Sequence, residues 1–197
     1  ELITGLNTRN QSLIWTDNAV HAMEFVGPPF IFNFRQLGSN CGIAGQHAAI
    51  ELDGRIFWMG AKDFFVYDGA VKALPCTVRR YVYNDFNFDQ KEKVYAGTNQ
   101  EFREVTWLYP SKNATEVDRY VSYNPVENYW TFGTTIFTTW EDKEVFQNVI
   151  TTGREADGDN YLYTNEPEDI YTADGQKQEA FLESSEFDTT PPSYGPG

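Results

Sequence analysis

Residues 48–74 contain two Asp-Gly pairs set between short apolar runs, and this pattern is the strongest local constraint on the fold. The pairs are Asp53-Gly54 and Asp68-Gly69, and a third turn is indicated between residues 60 and 63. Asp-Gly between apolar runs favours a type I′ hairpin turn, because both central residues of that turn need positive φ and glycine adopts it without a Cβ clash. The stretch therefore predicts a four-stranded antiparallel meander.

A single sheet of this kind cannot bury both of its faces, so it needs similar neighbours. Strand patterns recur along the chain and predict units at about residues 1–37, 48–74, 94–133 and 146–188, followed by an extended Pro/Gly tail at 189–197. In the first unit, Gly27-Pro28-Pro29 is expected to break strand pairing because proline cannot donate to the ladder. A short helix or ordered loop is expected near residues 85–93.

An aromatic residue marks the second strand of each predicted unit, namely Trp15, Trp58, Trp107 and Tyr163. The first three recur at about 40 to 50 residues, which is the period of β-propeller blades, and the last interval is somewhat longer. We therefore predict an all-β fold, a β-propeller-like array of about four four-stranded antiparallel meanders, either complete or part of a larger ring. We expect these aromatics to pack between neighbouring sheets rather than to stack on a sugar or a base.

The chain is strongly acidic, with 29 acidic residues against 15 basic ones and a formal charge of −14. A surface of this charge repels a phosphate backbone, so direct nucleic-acid binding is disfavoured, although DNA could slide past such a wall without sticking. No apolar run approaches the roughly 20 residues that a membrane-spanning helix needs, so we expect no membrane segment.

The two cysteines, Cys41 and Cys76, have no paired spacing with histidines. Two reduced, buried thiols are the favoured state, with a disulfide as the alternative and metal ligation the least favoured.

Residues that could carry catalysis are sparse. His21 and His47 are the only histidines, and no Gly-x-Ser-x-Gly nucleophile motif accompanies them. The Gly42-Ile-Ala-Gly45 stretch is too short for a phosphate cradle. Acid pairs that could mimic a glycosidase dyad are expected by chance at this charge. We therefore predict no enzymatic activity, no cofactor and no metal site.

Several stretches of the chain carry a family resemblance. They are Ser12-Leu-Ile-Trp-Thr-Asp-Asn-Ala-Val-His-Ala-Met-Glu-Phe-Val-Gly-Pro-Pro-Phe, Asn40-Cys-Gly-Ile-Ala-Gly, Phe57-Trp-Met-Gly-Ala-Lys-Asp-Phe-Phe-Val-Tyr-Asp-Gly, Asp118-Arg-Tyr-Val-Ser-Tyr-Asn and Glu179-Ala-Phe-Leu-Glu-Ser-Ser-Glu-Phe-Asp. With these stretches the chain resembles the propeller-bearing tail hub and nozzle proteins of short-tailed bacteriophages, including the packaged-DNA stabilisation type. The stretches mark a family but contain no chemistry.

The resemblance implies a structural virion protein of the phage neck or tail. It implies a homo-oligomeric ring, most often sixfold, that extends the DNA channel and helps to retain or deliver the genome. Other neck or tail proteins and portal adaptors would be its partners, DNA would be a passing cargo, and assembly in the host cytoplasm would precede its location in the virion. Members of the family usually continue past the segment at residues 184–188 into further strands, so we expect a fragment or one domain of a longer tail protein.

Two other functions remain open from the sequence. The main alternative is a carbohydrate-binding or carbohydrate-cleaving propeller of a receptor-binding tail part, which a glycan array or a polysaccharide-clearing assay would reveal. A cellular propeller that acts as a scaffold for peptides is less favoured, because the matching family signatures are missing from the sequence.

Overall fold

The computed structural model describes residues 1–8, 11–142, 148–154, 158–165, 172–173 and 176–177. The chain divides into two compact units, Glu1–Glu166 and Pro167–Gly197. The second unit contains one described hairpin, β16 (Thr172–Ala173) with β17 (Gln176–Lys177). The first unit contains four antiparallel sheets arranged as propeller-like blades, so the all-β prediction is confirmed.

The four sheets follow one another along the chain, and within each sheet neighbouring strands are consecutive in sequence. Sheet 1 contains β1 (Leu2–Asn7), β2 (Ser12–Thr16), β3 (Ala19–Gly27) and β4 (Ile31–Ser39). Sheet 2 contains β5 (Ala49–Leu52), β6 (Arg55–Met59), β7 (Phe64–Tyr67) and β8 (Val71–Ala73). Sheet 3 contains β9 (Tyr95–Asn99), β10 (Glu104–Tyr109), β11 (Arg119–Asn124) and β12 (Tyr129–Thr134). Sheet 4 contains β13 (Phe137–Glu141), β14 (Ile150–Arg154) and β15 (Asn160–Thr164).

Sheet 2 is the meander that the Asp-Gly pairs predict, but its two Asp-Gly turns differ. Asp53 and Gly54 have φ of 53° and 75°, as a type I′ turn requires. At the second turn only Gly69 has positive φ, at 107°, so the type I′ prediction is wrong there. The physical reason is that Tyr67 pairs with Val71, which leaves a loop of three residues rather than two.

In sheet 1 the strands β3 and β4 form a long hairpin. Their pairing extends to Gly27 opposite Ile31, so the predicted break at Gly27-Pro28-Pro29 is the hairpin turn itself. Two register shifts lie along this pair, one of them beside Val20.

Two short helical segments connect sheets 2 and 3. The helix α1 (Arg79–Asp85) contributes the buried Val82, and a 3₁₀ helix covers Phe88–Lys93. The Asn87 side chain caps the 3₁₀ helix by accepting a hydrogen bond of 3.1 Å from the Asp89 N–H. The 3₁₀ helix confirms the prediction of a short helix near residues 85–93. The helix α1 lies before the 3₁₀ helix.

Sheet 4 differs from its prediction. It begins at Phe137, before the predicted start at residue 146, because the half-buried strand β13 packs against sheet 3. Its described part has three strands, and Tyr163 lies on the third of them rather than on the second. The strands predicted at residues 169–171 and 179–183, and the tail at 189–197, lie outside the described residues.

The core lies between the sheets and is rich in aromatic rings. Trp15 of sheet 1 meets Trp58 of sheet 2 edge to face, with 5.5 Å between ring centroids. Phe64 of sheet 2 contacts both Trp107 and Trp130 of sheet 3, each at 4.9 Å. Such pairs contribute about 0.5–1.5 kcal/mol beyond the area that they bury. Aromatic contacts therefore hold successive sheets together face to face.

Candidate functional site: an acidic cavity between the first strands

A cavity of about 600 Å³ lies where the first strands of the four sheets meet. Its walls include Leu6 from β1, Ile50 from β5, Tyr95 from β9 and Trp140 from β13. Because every sheet of the first unit contributes its first strand, this cavity lies on the axis that the propeller-like sheets share. It is the natural candidate for a binding site in this unit.

The walls of the axial cavity are acidic, with carboxylates from Glu51, Asp53, Glu141 and Asp142. Asp53 is positioned by the β5–β6 turn and lies 3.6 Å from the guanidinium of Arg103. Carboxylates on a shared wall create a negative potential, which attracts cations and polar donors and repels phosphates.

Some of the polar groups of the cavity join sheets 3 and 4. The hydroxyl of Thr98 donates to a carboxylate oxygen of Asp142 at 2.7 Å. The indole N–H of Trp140 donates to the carbonyl oxygen of the same Thr98, also at 2.7 Å. Gly97 allows this approach, because a Cβ at that position would collide with the Trp140 ring. These groups are therefore used for packing as well as for lining the cavity.

Tyr95 is the second aromatic group of the cavity wall. Burial raises the pKa of its phenol, and the nearby Glu141 carboxylate raises it further. The phenol is therefore neutral at ordinary pH, a form that can donate a hydrogen bond to a ligand. His47 stacks on the Tyr95 ring with 5.2 Å between centroids, and its carbonyl accepts a hydrogen bond of 2.7 Å from Ala96.

The two histidines do not converge. His21 is half-buried in β3, opposite Ile14 and Gln36, whereas His47 is exposed beside sheet 3. Within the described part of the chain, no group of three His, Cys, Asp or Glu side chains has the geometry to hold a metal ion. The acidic walls of the described cavity suit a polar or cationic ligand, and neither histidine lines them.

The predicted blade aromatics lie between sheets rather than in the axial cavity. Trp15, Trp58 and Trp107 are fully buried on the second strands β2, β6 and β10. Trp15 and Trp58 contact each other across the interface between sheets 1 and 2. Tyr163 packs on Phe137 within sheet 4, at 5.4 Å between centroids.

Trp140 and Tyr95 are cavity residues that the sequence interpretation does not include. Trp140 lies in residues 137–141, outside the predicted units, although the Phe-Thr-Thr-Trp run is rich in aromatic and β-branched residues, which is a strand signal. Tyr95 begins β9, and nothing in its neighbourhood in sequence indicates that four first strands converge there.

Both cysteines are free thiols, Cys41 buried and Cys76 half-buried. Burial raises the pKa of both, and that of Cys76 rises to about 11. Thiols in this state are poor nucleophiles, because the thiolate is the reactive form.

No protein-family model matches this sequence, and no curated protein is significantly similar to it. Among the helices of the described residues, none has the length and apolar character that crossing a membrane requires.

Proposed function

We propose that this chain is a non-enzymatic structural protein of a bacteriophage neck or tail, a hub or nozzle subunit. In this proposal identical subunits form a ring, sixfold by the family resemblance, that extends the DNA channel and helps to retain or deliver the genome. Its partners are other neck or tail proteins and portal adaptors. The protein is assembled in the host cytoplasm and located in the virion.

The observation that carries the proposal is the use of polar groups at the axis. Thr98, Trp140 and Asp142 satisfy one another across the boundary between sheets 3 and 4, at 2.7 Å for each hydrogen bond. Thr98 is buried and the other two are half-buried, and polar groups that satisfy one another between packed sheets favour one rigid arrangement. A rigid blade array suits a scaffold that acts through its shape and its subunit contacts.

The charge of the chain supports the same proposal. A net charge of −14 gives a surface past which DNA can move without being held, since phosphates are repelled. The duplex would pass through the lumen of the ring rather than through the axial cavity of one subunit.

Cryo-electron microscopy of intact particles tests the proposal. We expect density for the four-sheet unit in a ring at the neck or tail, and antibodies to the chain should label that end of the particle. A monodisperse monomer that is absent from purified virions would contradict the proposal. So would tight binding of the isolated chain to duplex DNA at physiological salt, because an acidic wall should not retain DNA.

A carbohydrate-binding propeller is the second candidate, and one observation favours it. Trp140 and Tyr95 lie beside the carboxylates of Glu51 and Glu141 in one cavity, and aromatic rings next to hydrogen-bond acceptors suit a sugar. A glycan array would separate the two candidates, since the structural role expects no signal. A signal that Glu51→Gln abolishes and the surface control Glu127→Gln leaves intact would favour the carbohydrate role and place it in the cavity.

A further inference from the structure

Another cavity of the first unit lies on the face of sheet 3 that is turned toward sheet 4. Its volume is about 290 Å³, near the lower end of the range for small-molecule pockets, about 300–1,000 Å³. The strands β9 to β12 form its floor, and the strand β13 contributes Phe137 and Trp140 to its wall. We call it the hydroxyl pocket, after the side chains of Thr106, Ser122 and Thr131 on its floor.

These hydroxyls belong to one row of residues that crosses sheet 3. Thr106 pairs with Gly97 on one side and with Ser122 on the other. Ser122 pairs in turn with Thr131, so the four residues lie side by side on one face of the sheet. The Trp140 ring covers the Gly97 end of the row, where a Cβ would collide with it. The three hydroxyls therefore follow one another outward from that ring.

The row of hydroxyls runs from the interior of the protein to its surface. Thr106 and Ser122 are each 6% exposed, whereas Thr131 is exposed. The other face of β10 is apolar and carries the fully buried Val105 and Trp107 toward sheet 2. Because burying a polar group is favourable only when it is hydrogen-bonded, the partners of the two buried hydroxyls decide what this face can do.

The two buried hydroxyls carry one proton more than they use. Thr106 Oγ1 and Ser122 Oγ lie 2.7 Å apart, and within the described residues neither makes another side-chain hydrogen bond. The hydroxyl that accepts in this bond keeps its own proton, which is left without an acceptor. A threonine–serine bond between neighbouring strands is an ordinary stabilising contact, but it accounts for only one of the two protons. A ligand oxygen at this point would satisfy the other, which is costly to leave unpaired.

The two sides of the row differ in chemistry. On one side lie the buried Leu108 and the ring of Tyr120, which lies across Gly133, where a Cβ would be 2.7 Å from a ring carbon. On the other side Glu104 accepts a hydrogen bond of 2.8 Å from the Tyr129 hydroxyl. That bond orients the carboxylate and leaves it further lone pairs for a ligand. A ligand would therefore meet an aromatic side, a row of hydroxyls and one charged acceptor.

The walls of the hydroxyl pocket favour one class of ligand. None of the described residues that line it is basic, so a phosphate or a sulfate would lack a counter-charge. Glu104 is the one acidic residue among them, whereas a metal ion needs several such ligands. An apolar ligand would leave the buried hydroxyl proton unpaired. A neutral polyhydroxylated molecule fits, because its hydroxyls both donate and accept and its C–H surfaces can pack on aromatic rings.

We propose that the hydroxyl pocket binds one ring of a neutral sugar. The Thr106–Ser122 pair donates its free proton to a sugar oxygen, and Glu104 accepts from a sugar hydroxyl. The site is separate from the axial cavity, with which its described lining shares Trp140 alone. The inference goes beyond the proposed function, which by itself expects no sugar to bind.

Saturation-transfer NMR of the full chain tests the proposal with glucose, galactose, mannose and rhamnose, each at about 1 to 20 mM. The pocket variant carries Thr106→Val and Ser122→Ala, and replacing both partners of a hydrogen bond by apolar groups is nearly neutral for folding. The matched control carries Thr139→Val and Thr152→Val, a hydroxyl pair 2.6 Å apart in sheet 4 that does not line the pocket. We expect the wild type and the control to bind at least one sugar, and the pocket variant to bind it at least about tenfold more weakly.

Thermal unfolding shows whether the pocket variant keeps its fold. Thr131→Val, at the exposed end of the row, should fold like the wild type and still weaken sugar binding several-fold. A wild type that binds none of the four sugars would overturn the proposal, and so would equal binding by the pocket variant. Binding of inorganic phosphate more tightly than any of the sugars, followed by phosphorus NMR, would also overturn it.

The outcomes are distinguishable from those of the proposed function. Sugar binding that is lost in the pocket variant and kept in Glu51→Gln belongs to this pocket, and the reverse pattern assigns it to the axial cavity and removes this proposal. A chain that is absent from virions but binds sugar through the pocket removes the proposed function alone. A chain that is found in virions and binds no sugar removes this inference alone.

Discussion

The indole N–H of Trp107 donates a hydrogen bond of 3.1 Å to the carbonyl oxygen of Ala48, which joins β10 of sheet 3 to the residue that precedes β5 of sheet 2. Trp58 makes the same kind of bond to the Cys41 carbonyl at 2.9 Å, and Trp140 makes it to the Thr98 carbonyl at 2.7 Å. Each sheet after the first is thus tied to backbone that lies earlier in the chain. Hydrogen bonds of this kind fix the relative position of neighbouring sheets. Apolar packing alone fixes it less precisely, because apolar contacts are not directional.

Trp107→Phe should destabilise the protein more than Trp15→Phe. Both indoles are fully buried on second strands, but in the described structure the Trp15 N–H is without a partner. The first change removes a satisfied hydrogen bond, whereas the second removes a buried donor that is costly to keep, so we expect a difference of about 1–2 kcal/mol. Urea unfolding of the two variants measures it, and equal losses would contradict the assigned role of the Trp107 bond.

Gly97→Ala should weaken the contact between sheets 3 and 4. The added Cβ would collide with the Trp140 ring, and overpacking of this kind costs about 1–3 kcal/mol. The matched control is Gly5→Ala in β1, where the new Cβ would lie at an ordinary 3.4 Å from the nearest atom. Urea unfolding should show this loss of stability in the first variant only, and equal stability of the two variants would count against this packing.

Gly54→Ala tests backbone conformation separately from packing. Gly54 has φ of 75°, and a Cβ there would meet nothing within 4 Å, so the cost should be conformational alone. Left-handed backbone costs a residue other than glycine about 1–2 kcal/mol. Asp53→Asn is the control, because asparagine also tolerates positive φ. Thermal unfolding should show a lower midpoint for Gly54→Ala and a nearly unchanged one for Asp53→Asn.

Cys76 should react slowly with iodoacetamide in the folded protein. Burial raises its pKa from 9.0 to about 11, so at pH 8 the thiolate fraction should be about a hundredfold below that of an unperturbed thiol. Peptide mass spectrometry can follow each cysteine separately, with the urea-unfolded chain as the reference. A reaction at Cys76 as fast in the folded chain as in urea would contradict its burial.

Alkali should destabilise the fold between about pH 9 and pH 11. Burial raises the pKa of Tyr83 and of Cys76, so folding favours their neutral forms. That stability is fully present below the unfolded pKa values of about 9 for Cys and 10 for Tyr and is lost as pH rises through the folded values. The Tyr83 hydroxyl also donates to the Gly60 carbonyl at 3.1 Å, a bond that ionisation removes. Urea unfolding at several pH values should show the decline, with a shallower slope in Tyr83→Phe.

Local patterns predicted those parts of the fold that depend on neighbours in sequence. The Asp53-Gly54 turn and the four strands of sheet 2 follow from turn chemistry and short apolar runs, and the structure confirms both. The three-residue loop at Asp68-Gly69 was mispredicted because its length depends on the pairing of Tyr67 with Val71. The start of sheet 4 was mispredicted because β13 is recognisable chiefly by its packing on sheet 3.

The cavity and the exposed end of the β3–β4 hairpin could not be predicted from sequence patterns. Four first strands converge at the axis from points far apart in the chain, and no local signal brings Leu6 near Trp140. The exposure of Phe25 and Phe34 likewise depends on which face of sheet 1 is turned toward sheet 2. A period-2 pattern shows that two faces exist but cannot show which of them is covered.

The sequence by itself determined the all-β class, the repeated meanders and the acidic charge. Strand propensity and turn chemistry act over a few residues at a time, and the charge follows from composition alone. Only the tertiary structure decided that Thr98 donates to Asp142, that Trp15 contacts Trp58, and that Phe25 and Phe34 stay exposed. The physical reason is that these contacts join residues far apart in the chain, and their positions depend on how whole sheets stack rather than on any one strand.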